Sequence, residues 1–253
     1  TLARLSEDAL VRARLPALAE AASAVGTTQL RNMGTVGGNI CQRPRCMYFR
    51  HPDFPCFRKG GRKCFAVSGE HRDYHAIIGA GKCVMAHPSD TAPVLVALGA
   101  EVMIAGRAGV RRIPLQELFA GPNASCETTL GADELLVRIR VPFPGQGNRQ
   151  VFLKHRVRHT ADFALASVAV SAESVDGLLR DVRLVIGGVA PVPLVATGAQ
   201  DFVRGKCPNQ KLFAEAADSA LEGARPLAHN GFKLDLVRTL IRRALAAVTG
   251  ESP

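Results

Sequence analysis

The sequence predicts an α+β fold divided into two units, residues 1–145 and residues 149–253. The segment between them, 142–148, reads PFPGQGN, and its prolines and glycines are typical of a linker. After this segment, three strand-like stretches precede two alanine-rich amphipathic helices. We therefore expect the second unit to be a three-stranded antiparallel sheet covered by helices.

In the first unit, helical periodicity runs from Ser6 to Val25, and Gly26 can end the helix. Residues 28–40 read TQLRNMGTVGGNI and predict a glycine-rich loop. Residues 41–88 follow neither the helix period nor the strand period, so something other than regular structure must hold them. Beyond them the sequence predicts a helix at 91–98. Strands are predicted at 100–105, from 110 onward and at 135–141.

In the second unit, Asp176–Gly177 is a strong hairpin signal between two of the three strands. The strands are predicted at 151–157, 164–172 and 178–186, and the helices at 211–224 and 233–248. The apolar faces of these helices suit packing against the sheet.

Composition excludes several classes of protein. Of 253 residues, 47% are hydrophobic and 21% are charged, which is typical of a folded globular chain. No apolar run approaches the length of a membrane-spanning helix. The net charge of +10 favours an anionic partner or cofactor. No nucleic-acid-binding motif accompanies the charge, so we do not expect nucleic-acid binding.

Cysteine is the most informative residue type. The chain has seven cysteines, an odd number that argues against a simple disulfide scaffold. Two of them, Cys126 and Cys207, stand alone and are expected to be structural or free thiols. The other five fall within one segment, at Cys41, Cys46, Cys56, Cys64 and Cys83.

The same segment is strongly basic, with a net charge of +6 over residues 43–64. Such a stretch repels itself, and coordinated thiolates would compensate its charge. The cysteines after Cys46 follow at intervals of ten, eight and nineteen residues, which are wider than the usual zinc knuckle. The spacing alone is compatible with an iron–sulfur cluster, with a zinc ion and with cysteines that bind no metal. Cys41 is the weakest candidate ligand.

The turn GTVGGN, residues 34–39, exposes backbone N–H groups that can approach an anion closely. Taken as a bare motif, it is a weak signal, and a purely structural turn is the favoured interpretation.

Several motifs in order give the chain a family resemblance. QLRNMGTVGGNI is followed by the cysteine segment, then by AHPSDTAPVLVALGAEVMI, ELLVRIRVPFP, FLKHRVRHTADFALASVAV and VRLVIGGVAPVPLVA. This series resembles the FAD-binding (medium) subunit of the xanthine oxidase/molybdenum hydroxylase family. The resemblance implies the C-terminal part of a PCMH-type FAD-binding domain, followed by a domain like the C-terminal domain of CO dehydrogenase flavoproteins.

The cysteine segment resembles an insertion that binds a 4Fe–4S cluster in a minority of these subunits. QRPRCMYFRHPDFPC looks most like the version in aldehyde oxidoreductases of the PaoABC type. The resemblance implies four ligands, Cys46, Cys56, Cys64 and Cys83, and leaves Cys41 outside the set.

The resemblance also implies FAD contacts. Thr35, Gly37, Gly38 and Asn39 would contact the diphosphate and ribityl chain. The remaining contacts are Ser89 and Asp90, which would hydrogen-bond the cofactor; Leu135 or Leu136, which would pack near the isoalloxazine; and Lys154, which would lie near the flavin ring. Without the family, Asp90 fits a helix N-cap and Lys154 a solvated strand residue.

The implied function is electron transfer within a molybdenum-dependent aldehyde oxidoreductase. Electrons would pass from 2Fe–2S centres on a small partner subunit through FAD to an external acceptor, while a large molybdenum-cofactor subunit oxidises the aldehyde. No residue of this chain is expected to act on substrate. A subunit of a 4-hydroxybenzoyl-CoA reductase and a basic binding module with structural zinc are the rivals.

Two expectations concern the setting of the chain. The resemblance allows a periplasmic complex or a cytoplasmic one. The family's upstream glycine-rich turn has no counterpart here, so we expect the sequence to be part of a longer chain.

Overall fold

The computed structural model describes residues 1–158 and 161–251. The chain opens with three short helices, α1 (Leu2–Glu7), α2 (Ala9–Arg14) and α3 (Pro16–Ser23). The prediction of one helix from Ser6 to Val25 is therefore wrong. The side chain of Asp8 caps α2 by accepting from the N–H groups of Leu10 and Val11, and Pro16 prevents the preceding turn from continuing.

Residues 28–40 form two short helices, where the sequence predicted a loop. They are α4 (Thr28–Met33) and α5 (Val36–Ile40). Each begins after a threonine that caps it with its side chain. Thr27 accepts a hydrogen bond from the N–H of Leu30, and Thr35 accepts one from the N–H of Gly38. These threonine N-caps indicate helix starts in the sequence, but the glycines around them led to the prediction of a loop.

The irregular segment 41–88 is confirmed. It contains one short helix, α6 (Met47–Arg50), and two 3₁₀ turns, Phe57–Lys59 and Phe65–Val67. Its other backbone pairings are isolated bridges, such as His75 with Met85.

The predicted helix and strands that follow are confirmed. Helix α7 (Thr91–Ala97) leads into an antiparallel sheet with strand order β2-β1-β3. The strands are β1 (Glu101–Gly106), β2 (Gly109–Pro114) and β3 (Leu135–Arg140).

The second sheet has four strands rather than the predicted three. Its antiparallel order is β4-β5-β6-β7, and the added strand is a two-residue edge, β7, paired with β6. The hairpin turn at Asp176 and Gly177 is confirmed, since both residues have positive φ, 51° and 74°. The strands are β4 (Asn148–His155), β5 (Ala166–Val175), β6 (Leu178–Gly187) and β7 (Leu194–Val195).

Three helices follow the second sheet, α8 (Thr197–Val203), α9 (Gln210–Ala220) and α10 (Lys233–Thr249). The sequence predicted α9 and α10 but not α8. The side chain of Asn209 caps α9, and Gly250, with φ of 80°, ends α10. No helix in the described part of the chain is long and apolar enough to cross a bilayer.

The second sheet lies between two hydrophobic cores. On one face Val168 and Val170 pack in the same core as Ile241 of α10. On the other face Phe152 and Ala169 belong to the core that contains the helices of the first unit. The two units therefore share this sheet, because residues that alternate along its strands are buried on both sides.

The irregular segment is anchored to the start of α10 by buried polar groups. Lys233 is fully buried, and its Nζ donates to the carbonyls of Asp73, His75 and Gly188. Burial lowers the pKa of Lys233 to about 7. Asn230 adds two hydrogen bonds from its Nδ2, to the carbonyls of His75 and Ala76.

We expect Lys233→Met to lower the free energy of unfolding by about 2–4 kcal/mol, because it leaves buried carbonyl groups without a donor. Chemical denaturation of the purified protein measures the change. Lys211→Met is the matched control, since the Lys211 side chain is 86% exposed. Equal stability of the two variants would show that the buried amine is not an anchor.

Candidate cofactor site

The two short motifs GGN and SD meet in a buried hydrogen-bond network. Asn39 Oδ1 accepts from Ser89 Oγ at 2.6 Å and from Thr91 Oγ1 at 2.7 Å. Ser89 Oγ in turn accepts from the N–H group of Ala92 and so caps the first turn of α7. Sequence reasoning missed Thr91, whose only signal was its place after the SD pair.

Asp90 does not cap α7 with its side chain. Its carboxylate instead pairs with Lys154 of β4, with 2.6 Å between Oδ2 and Nζ, and each side chain is 4% exposed. The structure therefore excludes a solvated position for Lys154. Lys154 Nζ also donates to the carbonyl of Ala24 at 3.0 Å. Burial raises the pKa of Asp90 to about 6, and the charge of Lys154 opposes that rise.

A cavity of about 390 Å³ lies beside this network. Thr35, Gly38, Asn39 and Asp90 line it, so four of the predicted FAD contacts come together there. The Oδ1 atom of Asp90 is buried and has no hydrogen-bond partner in the described structure. A buried acceptor without a donor at a cavity wall fits a bound group that carries hydroxyl or N–H donors. Leu2, Leu30 and Phe163 are among the apolar residues of the lining.

The GGN turn uses part of its own hydrogen-bonding capacity. The N–H of Gly38 donates to Thr35 Oγ1, and the N–H of Asn39 donates to the carbonyl of Thr35. Gly37 lies close to β3, since a Cβ at this position would be 3.6 Å from Leu136 Cδ2.

The two leucines predicted near the isoalloxazine do not line the cavity. Leu135 is 68% exposed at the start of β3. Leu136 packs against the core of the first unit. The structure places both at the end of β3 that lies beside the GGN turn.

The four predicted cluster ligands line one small cavity. Cys46, Cys56, Cys64 and Cys83 share it with aromatic side chains, while Cys41 packs elsewhere, against the core of the first unit. None of the seven cysteines forms a disulfide. In the described residues, no group of three or more His, Cys, Asp or Glu side chains is arranged so that it could hold a metal ion.

Hydrogen bonds in this cavity favour the thiolate of Cys64, whereas burial disfavours the thiolates of Cys83 and Cys46. The pKa of Cys64 is lowered to about 5, chiefly because the Cys83 thiol donates to it, with further help from backbone N–H groups. The pKa of Cys83 is raised by the same contact and by burial. Burial also raises the pKa of Cys46, and the backbone N–H groups of Phe49 and Tyr48 oppose that rise.

Arg58 brings a buried positive charge to the cavity wall. It is 5% exposed, and its guanidinium donates to the carbonyls of Cys126 and Gly121 at 2.8 and 2.9 Å. Its side chain also reaches Cys83 and favours the thiolate there. Sequence reasoning counted Arg58 only as part of the basic run.

The comparisons with known proteins decide the family. Residues 1–144 match the family described as the FAD binding domain in molybdopterin dehydrogenase. The chain belongs to this family. Residues 152–248 match the family described as the CO dehydrogenase flavoprotein C-terminal domain.

Curated members of the molybdenum hydroxylase family align along almost the whole chain. The aldehyde oxidoreductase FAD-binding subunit PaoB of Escherichia coli is 35% identical over 96% of this chain and 73% of its own length. The carbon monoxide dehydrogenase medium chain of Hydrogenophaga pseudoflava is 28% identical over 96% of this chain and 70% of its own length.

The fold agrees with a solved structure of a family member. Carbon monoxide dehydrogenase from Hydrogenophaga pseudoflava superimposes with a TM-score of 0.75 at 25% identity, over 98% of this chain and 72% of that chain. The chain is thus a flavoprotein subunit of a molybdenum hydroxylase, an oxidoreductase, and the predicted fold class is confirmed.

We expect Asp90→Asn to change how stability depends on pH. The pKa of Asp90 is raised in the folded protein, so its stabilising contribution is present at about pH 4 and is lost as pH rises through about 6. The unfolding free energy of the wild type should fall between these pH values by roughly 1–3 kcal/mol relative to the variant. Urea denaturation across pH 4–7.5 measures it.

Asp181→Asn is the control for this experiment, because the Asp181 side chain is 69% exposed. Parallel pH profiles for the wild type and Asp90→Asn would contradict the assignment of a raised pKa to Asp90.

We expect Gly61→Ala to disrupt the cysteine segment. A Cβ at Gly61 would lie 1.7 Å from the carbonyl oxygen of Pro55, so the backbone next to Cys56 would have to move. Overpacking of this kind costs about 1–3 kcal/mol. Limited proteolysis within residues 41–88 should accelerate. Gly145→Ala is the control, because its new methyl group enters open space. Proteolysis within residues 41–88 of this variant should proceed at the wild-type rate.

Proposed function

We propose that this chain is the FAD and 4Fe–4S electron-transfer subunit of a molybdenum-dependent aldehyde oxidoreductase. In this role it passes electrons from 2Fe–2S centres of a small partner subunit through FAD to an external acceptor. The observation that carries the proposal is the cavity shared by Cys46, Cys56, Cys64 and Cys83, in a chain 35% identical to an aldehyde oxidoreductase subunit.

The donor set suits a 4Fe–4S cluster. Four cysteine thiolates are the usual ligands of such a cube, and each binds a different iron atom. Four thiolates and an oxidised cube leave a net charge of −2, which the buried guanidinium of Arg58 helps to balance. Backbone N–H groups directed at Cys46 and Cys64 would stabilise the same negative charge.

The cavity of Thr35, Gly38, Asn39 and Asp90 would hold FAD. When bound, FAD supplies the ability to accept and release electrons singly or in pairs. Gly38 leaves room for a close approach, Ser89 fixes the orientation of Asn39, and the free Asp90 Oδ1 would accept a hydrogen bond.

Lys154 would act near the flavin ring by placing a positive charge beside it, held in position by Asp90. Leu135 and Leu136 would pack at the edge of the ring system, at the end of β3 that lies beside the GGN turn.

The proposed complex has two further subunits. A large subunit with the molybdenum cofactor would oxidise the aldehyde, and a small 2Fe–2S subunit would deliver the electrons. Several relatives are themselves named as a medium chain or a subunit, which supports a multi-subunit assembly. The basic surface of residues 43–64 suits an acidic partner.

The decisive experiment is metal and flavin analysis of the purified complex with and without one proposed ligand. We expect Cys64→Ala to lose about four iron atoms per chain, the content of one cube, while FAD is retained. Cys41→Ala is the matched control, because Cys41 belongs to the same segment but lies outside the cavity.

Zinc in place of the four iron atoms assigned to this chain in the wild type would refute the cluster and favour the structural zinc module. Unchanged iron content in Cys64→Ala would remove Cys64 from the ligand set. Turnover of an aromatic acyl-CoA thioester instead of aldehydes would favour the 4-hydroxybenzoyl-CoA reductase alternative.

A further inference from the structure

One buried histidine contacts a cysteine of the proposed cluster site. The Nε2 atom of His75 lies 3.4 Å from Cys46 Sγ, and His75 is 4% exposed. In sequence the two residues are 29 positions apart, so the contact arises from the folding of the irregular segment.

The second ring nitrogen of His75 determines where the proton lies. The backbone N–H of Arg72 donates to His75 Nδ1 at 3.3 Å, so Nδ1 must offer a lone pair. A neutral imidazole with a lone pair on Nδ1 carries its hydrogen on Nε2. The group that faces Cys46 Sγ is therefore an N–H donor.

The backbone of His75 is fixed by the second unit. Its carbonyl accepts from Lys233 Nζ at 3.2 Å and from Asn230 Nδ2 at 3.3 Å. The isolated bridge between His75 and Met85 fixes the same residue from within the segment. A ring held in this way is preorganised as a donor to Cys46, in the manner of outer partners that orient metal ligands.

We propose that His75 donates a hydrogen bond to the Cys46 thiolate and thereby raises the reduction potential of the 4Fe–4S cluster. This inference rests on the proposed function, because it requires the cluster. A donor to a ligand sulfur stabilises the more negative, reduced state, and hydrogen bonds to sulfur are among the factors that set cluster potentials. His75 is a positioning residue and touches no substrate.

The test uses two substitutions that separate the two ring nitrogens. In His75→Gln the side-chain amide N–H₂ can occupy the position of Nε2 and still donate to sulfur. In His75→Asn the shorter amide can replace Nδ1 as the acceptor for Arg72 but does not reach Cys46. Both variants are prepared in the intact complex, and the cluster potential is measured by redox titration followed by EPR.

We expect His75→Asn to make cluster reduction about tenfold less favourable, a shift of about 59 mV to lower potential for a one-electron couple. The potential of His75→Gln should remain near that of the wild type. His71→Asn is the control, because His71 is buried in the same segment and its hydrogen bonds go to Ala66, Gly69 and His229 rather than to sulfur.

Several outcomes would overturn the inference. One is the same cluster potential in both His75 variants, whether or not it differs from that of the wild type. Another is a shift of the cluster potential in His71→Asn as large as the shift in His75→Asn. A wild-type complex that lacks the four iron atoms assigned to this chain would refute the proposed function itself. The presence of those iron atoms with an unchanged cluster potential in His75→Asn would refute only the role of His75.

A measurement on the wild type covers the case in which a variant fails to assemble. Protein labelled with ¹⁵N-histidine is reduced, and the cluster signal is examined by pulsed EPR. A histidine nitrogen coupled to the cluster is expected, and its absence would overturn the inference.

Discussion

The buried ion pair between Asp90 and Lys154 is the interaction on which the candidate flavin site depends. It joins the start of α7 to β4, and so connects the first unit to the sheet that both units share. Two charges removed from water are tolerable only when they are paired and hydrogen-bonded, so this contact fixes the relative position of the two elements. The remaining Asp90 oxygen, which lacks a partner, marks the wall of the cavity as a place for a ligand.

A second constraint acts on the cysteine segment, which has almost no regular structure to hold it. Lys233 and Asn230 bind its carbonyl groups near His75, and a small cluster of aromatic rings around Tyr48 packs within it. The segment is thereby folded back so that distant cysteines meet in one cavity. The same anchors place the ring of His75 against Cys46, which links the packing of the second unit to the chemistry proposed for the first.

Local patterns predicted much of the fold. The hairpin at Asp176 and Gly177, the strands around it and the helices α9 and α10 follow from turn residues and hydrophobic periodicity. Predictions failed where a capping side chain or a proline interrupts a periodic stretch, as at Asp8 and Pro16, or where threonine caps are hidden among glycines, as at Thr35. The short strand β7 has only two residues and leaves no pattern to detect.

The sequence by itself carried the family resemblance and the α+β class, because ordered motifs and periodicity are properties of the chain alone. The four cysteines that line one cavity were implied by that resemblance, whereas their spacing left several kinds of site open. Tertiary structure decided the partners of individual side chains. Asp90 and Lys154 lie 64 residues apart, and so their pairing, like the donor tautomer of His75, depends on how separate elements pack. Nothing in the local sequence around either residue specifies its partner, since burial and long-range contact are created only when the sheet and the helices assemble.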